Sequence, residues 1–143
     1  MKQFIKKNKG FTLIEILVVI GIIAVLAAAV LIAINPARQF AQARDSQRST
    51  NIEAILNAVG QNIADNKGVF TCGAALPGAL ADIGTAGVNL EPCLVPTYVS
   101  IMPMDPAGGT SVNTKYQIMQ DAATKRITIS ATPEVAASIS TTR

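Results

Sequence analysis

Hydrophobic positions are spread very unevenly along the 143 residues. Residues 1–10 hold Lys2, Lys6, Lys7 and Lys9 and no acidic residue, whereas Phe11 to Ile34 is almost wholly apolar. The 19 residues from Ile16 to Ile34 carry no charge. As a helix they span about 28 Å, close to the roughly 30 Å hydrocarbon thickness of a bilayer. The pattern predicts a membrane-spanning helix over 11–34. All four leader lysines precede it, so the positive-inside rule puts the N-terminus in the cytoplasm and the following chain outside. Small residues recur at four-residue spacing in Ala24 and Ala28, in Ala29 and Ala33, and more weakly at Gly21 with Val25. They make either a close helix–helix face or simple alanine filling.

Asn35-Pro36 interrupts the run. Pro36 cannot donate to the Ile32 carbonyl, and its ring crowds it. Either one long helix kinks at Pro36, or Asn35 caps a second helix with Pro36 at its first position. Beyond this point Ile52, Ile55, Leu56, Val59 and Ile63 fall on one helical stripe. An amphipathic helix is predicted over 35–66, stopped near Gly68. Its lower part, Arg38 to Thr50, has Phe40 as its one large apolar residue and is expected to face solvent or another subunit. From Thr12 to Asn66 a continuous helix would reach about 80 Å, more than a monomeric domain needs for its own core.

Residues 67–143 read as a small head. Val69 to Pro96 is loop material rich in Gly and Pro, with one short helical turn expected around Ala79 to Ile83. Tyr98 to Ile101 reads as a short strand. Pro103-Met104-Asp105-Pro106 and Gly108-Gly109 read as turns. Tyr116 to Gln120 and Arg126 to Ala131 alternate as strands do and are joined by a five-residue hairpin loop, Asp121 to Lys125. That antiparallel sheet is the natural surface for the Ile52–Ile63 stripe. Glu134 to Arg143 reads as a polar tail. The fold class is therefore α+β: a long N-terminal helix whose upper half packs on a small antiparallel sheet. Its segments are 1–10, 11–34, 35–66 and 67–143.

Charge adds little about partners. The net +3 comes from the leader; after residue 10 there are eight basic and nine acidic side chains. Arg38, Arg44 and Arg48 are interleaved with Asp45 and Glu53, so they read as charges on an exposed helix face and not as a nucleic-acid footprint. Cys72 and Cys93 flank the loop. Outside the cytoplasm they are expected to form a disulfide, and in a reducing compartment two free thiols. There is no His, no phosphate-binding glycine motif and no paired-carboxylate spacing, so nothing supports an enzyme and no cofactor is expected. Asp105 in its turn is a weak calcium candidate, because a lone Asp is usually a turn former.

One carboxylate stands out. Glu15 lies five residues into the apolar run, where a charge costs up to about 2.5–3.5 kcal/mol at a helix centre and less near an end. Gly10-Phe11-Thr12-Leu13-Ile14-Glu15, after a lysine-rich leader and before an apolar helix, resembles the signature of type IV prepilins. That family includes type IV pilins, competence pilins and secretion pseudopilins. The motif covers six residues and its context the first 35; the remainder is similar in layout only. The Pro103-x-Asp105-Pro106 turn also looks like the major-pseudopilin and simple-pilin pattern.

The resemblance implies roles residue by residue. Gly10 would end the leader and Phe11 would become the new N-terminus after cutting by a membrane aspartic prepilin peptidase. Phe11 would be N-methylated. Glu15 would pair with the Phe11 amine of a neighbouring subunit; the amine of its own chain is four residues away and is a second possible partner. Residues 11–34 would anchor the subunit in membrane lipid and then form the core of a homo-oligomeric helical filament. An inner-membrane assembly platform with its ATPase would drive that step. Many members have Gly at the position of Ala24 and Pro at that of Ile32, so the place where the helix would melt, between Gly21 and Pro36, is left open. Two other readings use the same residues: an ordinary signal peptide cut at Ala27-Ala28-Ala29 to release a soluble domain from Val30, and an uncut single-span anchor.

Overall fold

The computed structural model describes residues 10–73 and 75–143. The lysine-rich leader, residues 1–9, lies outside the described residues. The chain divides into two compact units, Met1–Gln39 and Phe40–Arg143.

The first unit is built on helix α1, Leu13–Ile34. It is apolar around its whole circumference, and the stretch Leu13–Ile32 is long and apolar enough to cross a membrane, with none of it buried within the protein. A helix with no polar face suits lipid or the company of other apolar helices better than water. α1 ends at Asn35, which takes the left-handed conformation at φ 48°. The amide of Arg38 then donates to the Asn35 carbonyl at 3.1 Å and to its side-chain Oδ1 at 3.3 Å. Asn35 thus closes one helix and caps the next. Pro36 opens helix α2, Pro36–Asp65, where its missing N–H costs nothing. The helical run is therefore two helices and not one 80 Å rod kinked at Pro36.

The second unit contains α2 from Phe40 onward and the head. α2 stops where Lys67 and Gly68 turn left-handed and the Gly68 amide reaches back to the Ile63 carbonyl at 2.8 Å, a glycine-closed helix end. Four strands follow: β1 (Ala81–Asp82), β2 (Tyr116–Gln120), β3 (Ile127–Ala131) and β4 (Ile139–Thr142). They form one antiparallel sheet in the order β1-β2-β3-β4. One four-residue helix, α3 (Glu91–Leu94), lies between β1 and β2.

Alternation in β2 and β3 sends Tyr116, Ile118, Ile127 and Ile129 inward. They share one core with Ile52, Ile55, Leu56 and Val59 of α2 and with Ile83, Leu90 and Leu94 of the loop. Of the outward positions, Gln117, Thr128 and Ser130 are polar and Met119 is apolar. The Tyr116 hydroxyl would be a stranded polar group in that core, but it accepts from Asn51 Nδ2 at 2.8 Å.

Three local expectations are corrected. Ala81–Asp82 is a strand, not part of a helical turn, because Ile83 is drawn into the core and its amide bonds to the Tyr116 carbonyl at 2.8 Å. The helical turn lies at α3. Residues 98–101 form no strand, since the amides of Tyr98 and Val99 are both taken by the Leu94 carbonyl at 2.8 and 3.1 Å. Residues 134–143 are not a loose tail: they contain β4, and Ile127 and Arg143 exchange both backbone bonds beyond its end.

Cys72 and Cys93 are disulfide-bonded with Cα atoms 5.3 Å apart and a sequence separation of 21. The bridge closes the loop that carries Leu76, Ile83 and Leu90 into the core. In the chain-entropy account a loop of this length contributes roughly 3 kcal/mol. Replacing both cysteines by Ser should lower the unfolding free energy of the head by about that amount in urea titrations. An unchanged midpoint would show that the loop is held by packing alone.

Candidate functional site

Two sites stand out, one in each unit. The first is the entry to α1. Thr12 is the N-cap: its Oγ1 accepts the Glu15 amide at 3.3 Å, while Glu15 Oε2 accepts the Thr12 amide and hydroxyl, both at 2.8 Å. This reciprocal capping box satisfies helix-end donors that would otherwise be orphaned. It also gives the carboxylate two donors within its own chain. Gly10 and Phe11 lie just before the cap in non-helical backbone, and Phe11 is 84% exposed. A Cβ placed on Gly10 would meet nothing within 4 Å. Gly10 and Phe11 thus precede the first helical turn and lie outside its hydrogen bonding.

The second site was read from sequence as exposed charge. On α2, Asp45, Arg48, Ile52, Ile55, Val59 and Asn62 are all buried. Their spacing continues one helical stripe, so Asp45 and Arg48 occupy positions that apolar residues hold higher up. Arg48 is only 4% exposed. Its guanidinium grips Asp105 with two bonds, Nε to Oδ2 at 2.6 Å and Nη2 to Oδ1 at 3.1 Å. Nη1 donates to Asp45 Oδ1 at 2.8 Å, and Nη2 stands 2.7 Å from Glu134 Oε1. Arg44, more exposed than Arg48, forks onto Glu134, with Nε 2.8 Å from Oε1. Arg38, the third arginine, is exposed as expected.

Asp45 has a second set of partners. The amides of Glu134, Val135 and Ala136 all donate to its carboxylate, at 2.9, 2.8 and 2.9 Å. Residues 134–136 wrap their N–H groups around it as a small anion nest. Asp105 sits in a tight turn in which its Oδ1 also accepts the Ala107 amide at 2.7 Å. A Cβ on Gly109 would collide with the Asp105 backbone nitrogen, so the turn needs glycine there. The carboxylate considered for calcium is thus engaged by Arg48 and Ala107.

These partners fix the charges. Burial opposes the ionisation of Asp45, but the amides of Ala136, Glu134 and Val135, then Arg48, outweigh it and hold its pKa far below the usual carboxylate range. Arg44, then Arg48, lowers Glu134 to about 2. Arg48 chiefly lowers Asp105 as well, and Asp105 in turn raises the Arg48 guanidinium further. At neutral pH the cluster is a fully ionised structural node. The node forms part of the wall of an open groove of about 520 Å³, lined also by Lys115, Gln117, Ser130 and Thr132. Its one further carboxylate, Asp82, accepts amide bonds from Asn113 and Gln117, an arrangement for holding a loop.

A family model described as the prokaryotic N-terminal methylation motif matches residues 5–31. That motif is the processing signal of type IV pilins and pseudopilins, and it coincides with the first site. No curated protein and no solved structure matches the chain.

Two outcomes follow from the node. Arg48→Ala strands Asp45 and Asp105 without their buried cation and should cost about 3–5 kcal/mol in urea unfolding; a loss under about 1 kcal/mol would mean that water replaces the guanidinium. The depressed carboxylates contribute stability that is fully present above their unfolded pKa near 4 and is lost as pH falls through their folded values. The head's melting temperature should therefore stay level from neutral pH to about pH 5 and drop between about pH 4 and 2. Thermal melts of Glu134→Gln should show a smaller drop over that window, and an identical drop would remove Glu134 from the account.

Proposed function

We propose that this protein is the structural subunit of a type IV pilus or a related filament. It would be made as a membrane-anchored precursor, cut between Gly10 and Phe11, N-methylated on Phe11, and assembled by packing α1 against α1 of other copies. The observation that carries the reading is the coincidence of the methylation motif at 5–31 with an all-round apolar helix that holds one carboxylate, Glu15, at its start.

The chemistry supports the assignment. A cut before Phe11 creates an ammonium four residues from Glu15. Among packed helices in a low-dielectric core, an ammonium and a carboxylate attract strongly, and either one left unpaired is heavily penalised. A neighbouring helix out of register would leave both without a partner. Glu15 therefore acts as a register mark between copies more than as a source of net stability. In the precursor its carboxylate rests on Thr12, which keeps it satisfied before any neighbour arrives.

A secretion pseudopilus is the second form of the same reading; the Pro103-Met104-Asp105-Pro106 turn, whose Asp105 is gripped by Arg48, resembles both the major-pseudopilin and the simple-pilin pattern. Both forms use a peptidase, an inner-membrane platform and its ATPase. In both the subunit passes from the inner membrane to a filament outside it, with the head on the far side from the cytoplasm.

The N-terminal peptide of the protein from its native cells tests the proposal. A mass corresponding to methylated Phe11 is expected. A start at Val30 would mean an ordinary exported domain, and an intact leader an uncut anchor. Glu15→Ala should insert into membranes normally but reduce filament yield by about tenfold or more, as counted in sheared fractions; undiminished filaments would refute the register role.

A further inference from the structure

The groups that hold Arg48 and Asp45 arrive late in the chain. Asp105 follows Arg48 by 57 residues, and the amides on Asp45 follow it by 89 to 91. With the orientation proposed above, α2 crosses the membrane first, and its charged turns must wait for these partners.

The late segment is held at both ends. At its start, Glu134 bridges Arg44 and Arg48 while three successive amides wrap Asp45. Further on, β4 pairs with β3, Ile139 enters the core, and Ile127 and Arg143 exchange bonds of 2.8 and 3.0 Å. Lift residues 133–143 away and Asp45 keeps only Arg48, Arg48 loses one of three carboxylates, and Arg44 loses its partner. The loss falls on residues 44–48 of α2. Higher on the helix, Ile52, Ile55 and Val59 still have β2, β3 and the disulfide-closed loop against them.

We propose that residues 133–143 form a closing strap: their docking, after β2 and β3 have paired, is what seals the charged lower turns of α2 in the head. Before closure the head has a formed apolar centre and an open ionic base. After closure Asp45 and Arg48 are buried and that part of the helix is rigid. Closure thus reports that the chain has crossed at least as far as Ala136. A subunit stalled earlier would present water-seeking charges on the part of the head that follows α1 in the chain. The assembly consequence rests on the filament reading; the strap itself does not.

Hydrogen exchange on the full-length protein in detergent micelles tests it without reference to filaments. In Asp45→Asn, amides of residues 134–136, 139–142 and 44–50 should all exchange faster, by about tenfold or more, because several charge-assisted bonds weaken together. Those of residues 55–63 and 90–94 should not change. Acceleration confined to 134–136 would overturn the proposal, since it would mean only the local bonds were lost. Equal acceleration across the head would overturn it too, because no separate closing unit would exist. If the variant does not fold, pulse labelling of the refolding wild-type protein decides. Residues 44–50 should gain protection together with 134–136 and after 117–119 and 127–130; protection of 44–50 before the strands pair would refute the strap. Should these hold while Phe11 proves unmethylated, the strap stands and the filament reading falls.

Discussion

A guanidinium taken out of water must be given back nearly all of its hydrogen bonds, and Arg48 receives them from three places in the chain. One carboxylate comes from its own helix, one from the turn at Asp105 and one from the segment that begins at Glu134. Each of those segments is fixed in turn by meeting the same group. The Asp105 turn sets where β2 begins, because the Asp105 amide bonds to the Thr114 carbonyl at 3.0 Å. The 134–136 nest sets where β4 begins. Apolar burial supplies the free energy of the head, as in any small domain. What the Arg48 node supplies is position: it leaves one arrangement of helix, turn and strand in which no buried charge is unpaired.

The two units meet the same demand in opposite solvents. In the head, buried polar groups are satisfied by other segments. In α1, which is apolar enough to cross a membrane, a polar group has to be satisfied within the helix or at its ends. Thr12 and Glu15 do this at the start; at the end Asn35 turns the backbone left-handed, while its side chain caps the Arg38 amide of the helix that follows. Pro36, the residue least able to continue a helix, is placed where a helix begins.

Much of this was legible in the residues. A long uncharged run, a stripe of Ile and Leu at helical spacing and two alternating segments are strong patterns because each reflects burial repeated over several positions. The helix over 36–65, the β2–β3 hairpin and the motif at 10–15 carry such patterns. The buried charges did not. Asp45 and Arg48 look like surface residues to any hydropathy reading, and their partners lie 57 to 91 residues away. Only one local sign pointed to them: they continue downward, at three- and four-residue steps, the stripe marked by Ile52, Ile55 and Val59. β4 was hidden for a related reason. Ser140, Thr141 and Thr142 are polar, and only Ile139 turns inward, so the strand exists because β3 offers an edge and the Asp45 nest delivers the chain to it.

The exposed peptide between Gly10 and Phe11 has a consequence for energetics. The first hydrogen bond of α1 runs from the Ile16 amide to the Thr12 carbonyl, two residues beyond the bond that would be cut. The proposed cut there would leave every hydrogen bond of α1 from Ile16 onward in place. What the proposed cut would change is charge at the start of the helix: an ammonium gained at Phe11 and four lysines lost. On the filament reading, maturation would act through electrostatics: the bonded turns of α1 stay as they are, and the charge gained beside Glu15 is what separates an anchored subunit from one ready to join other copies.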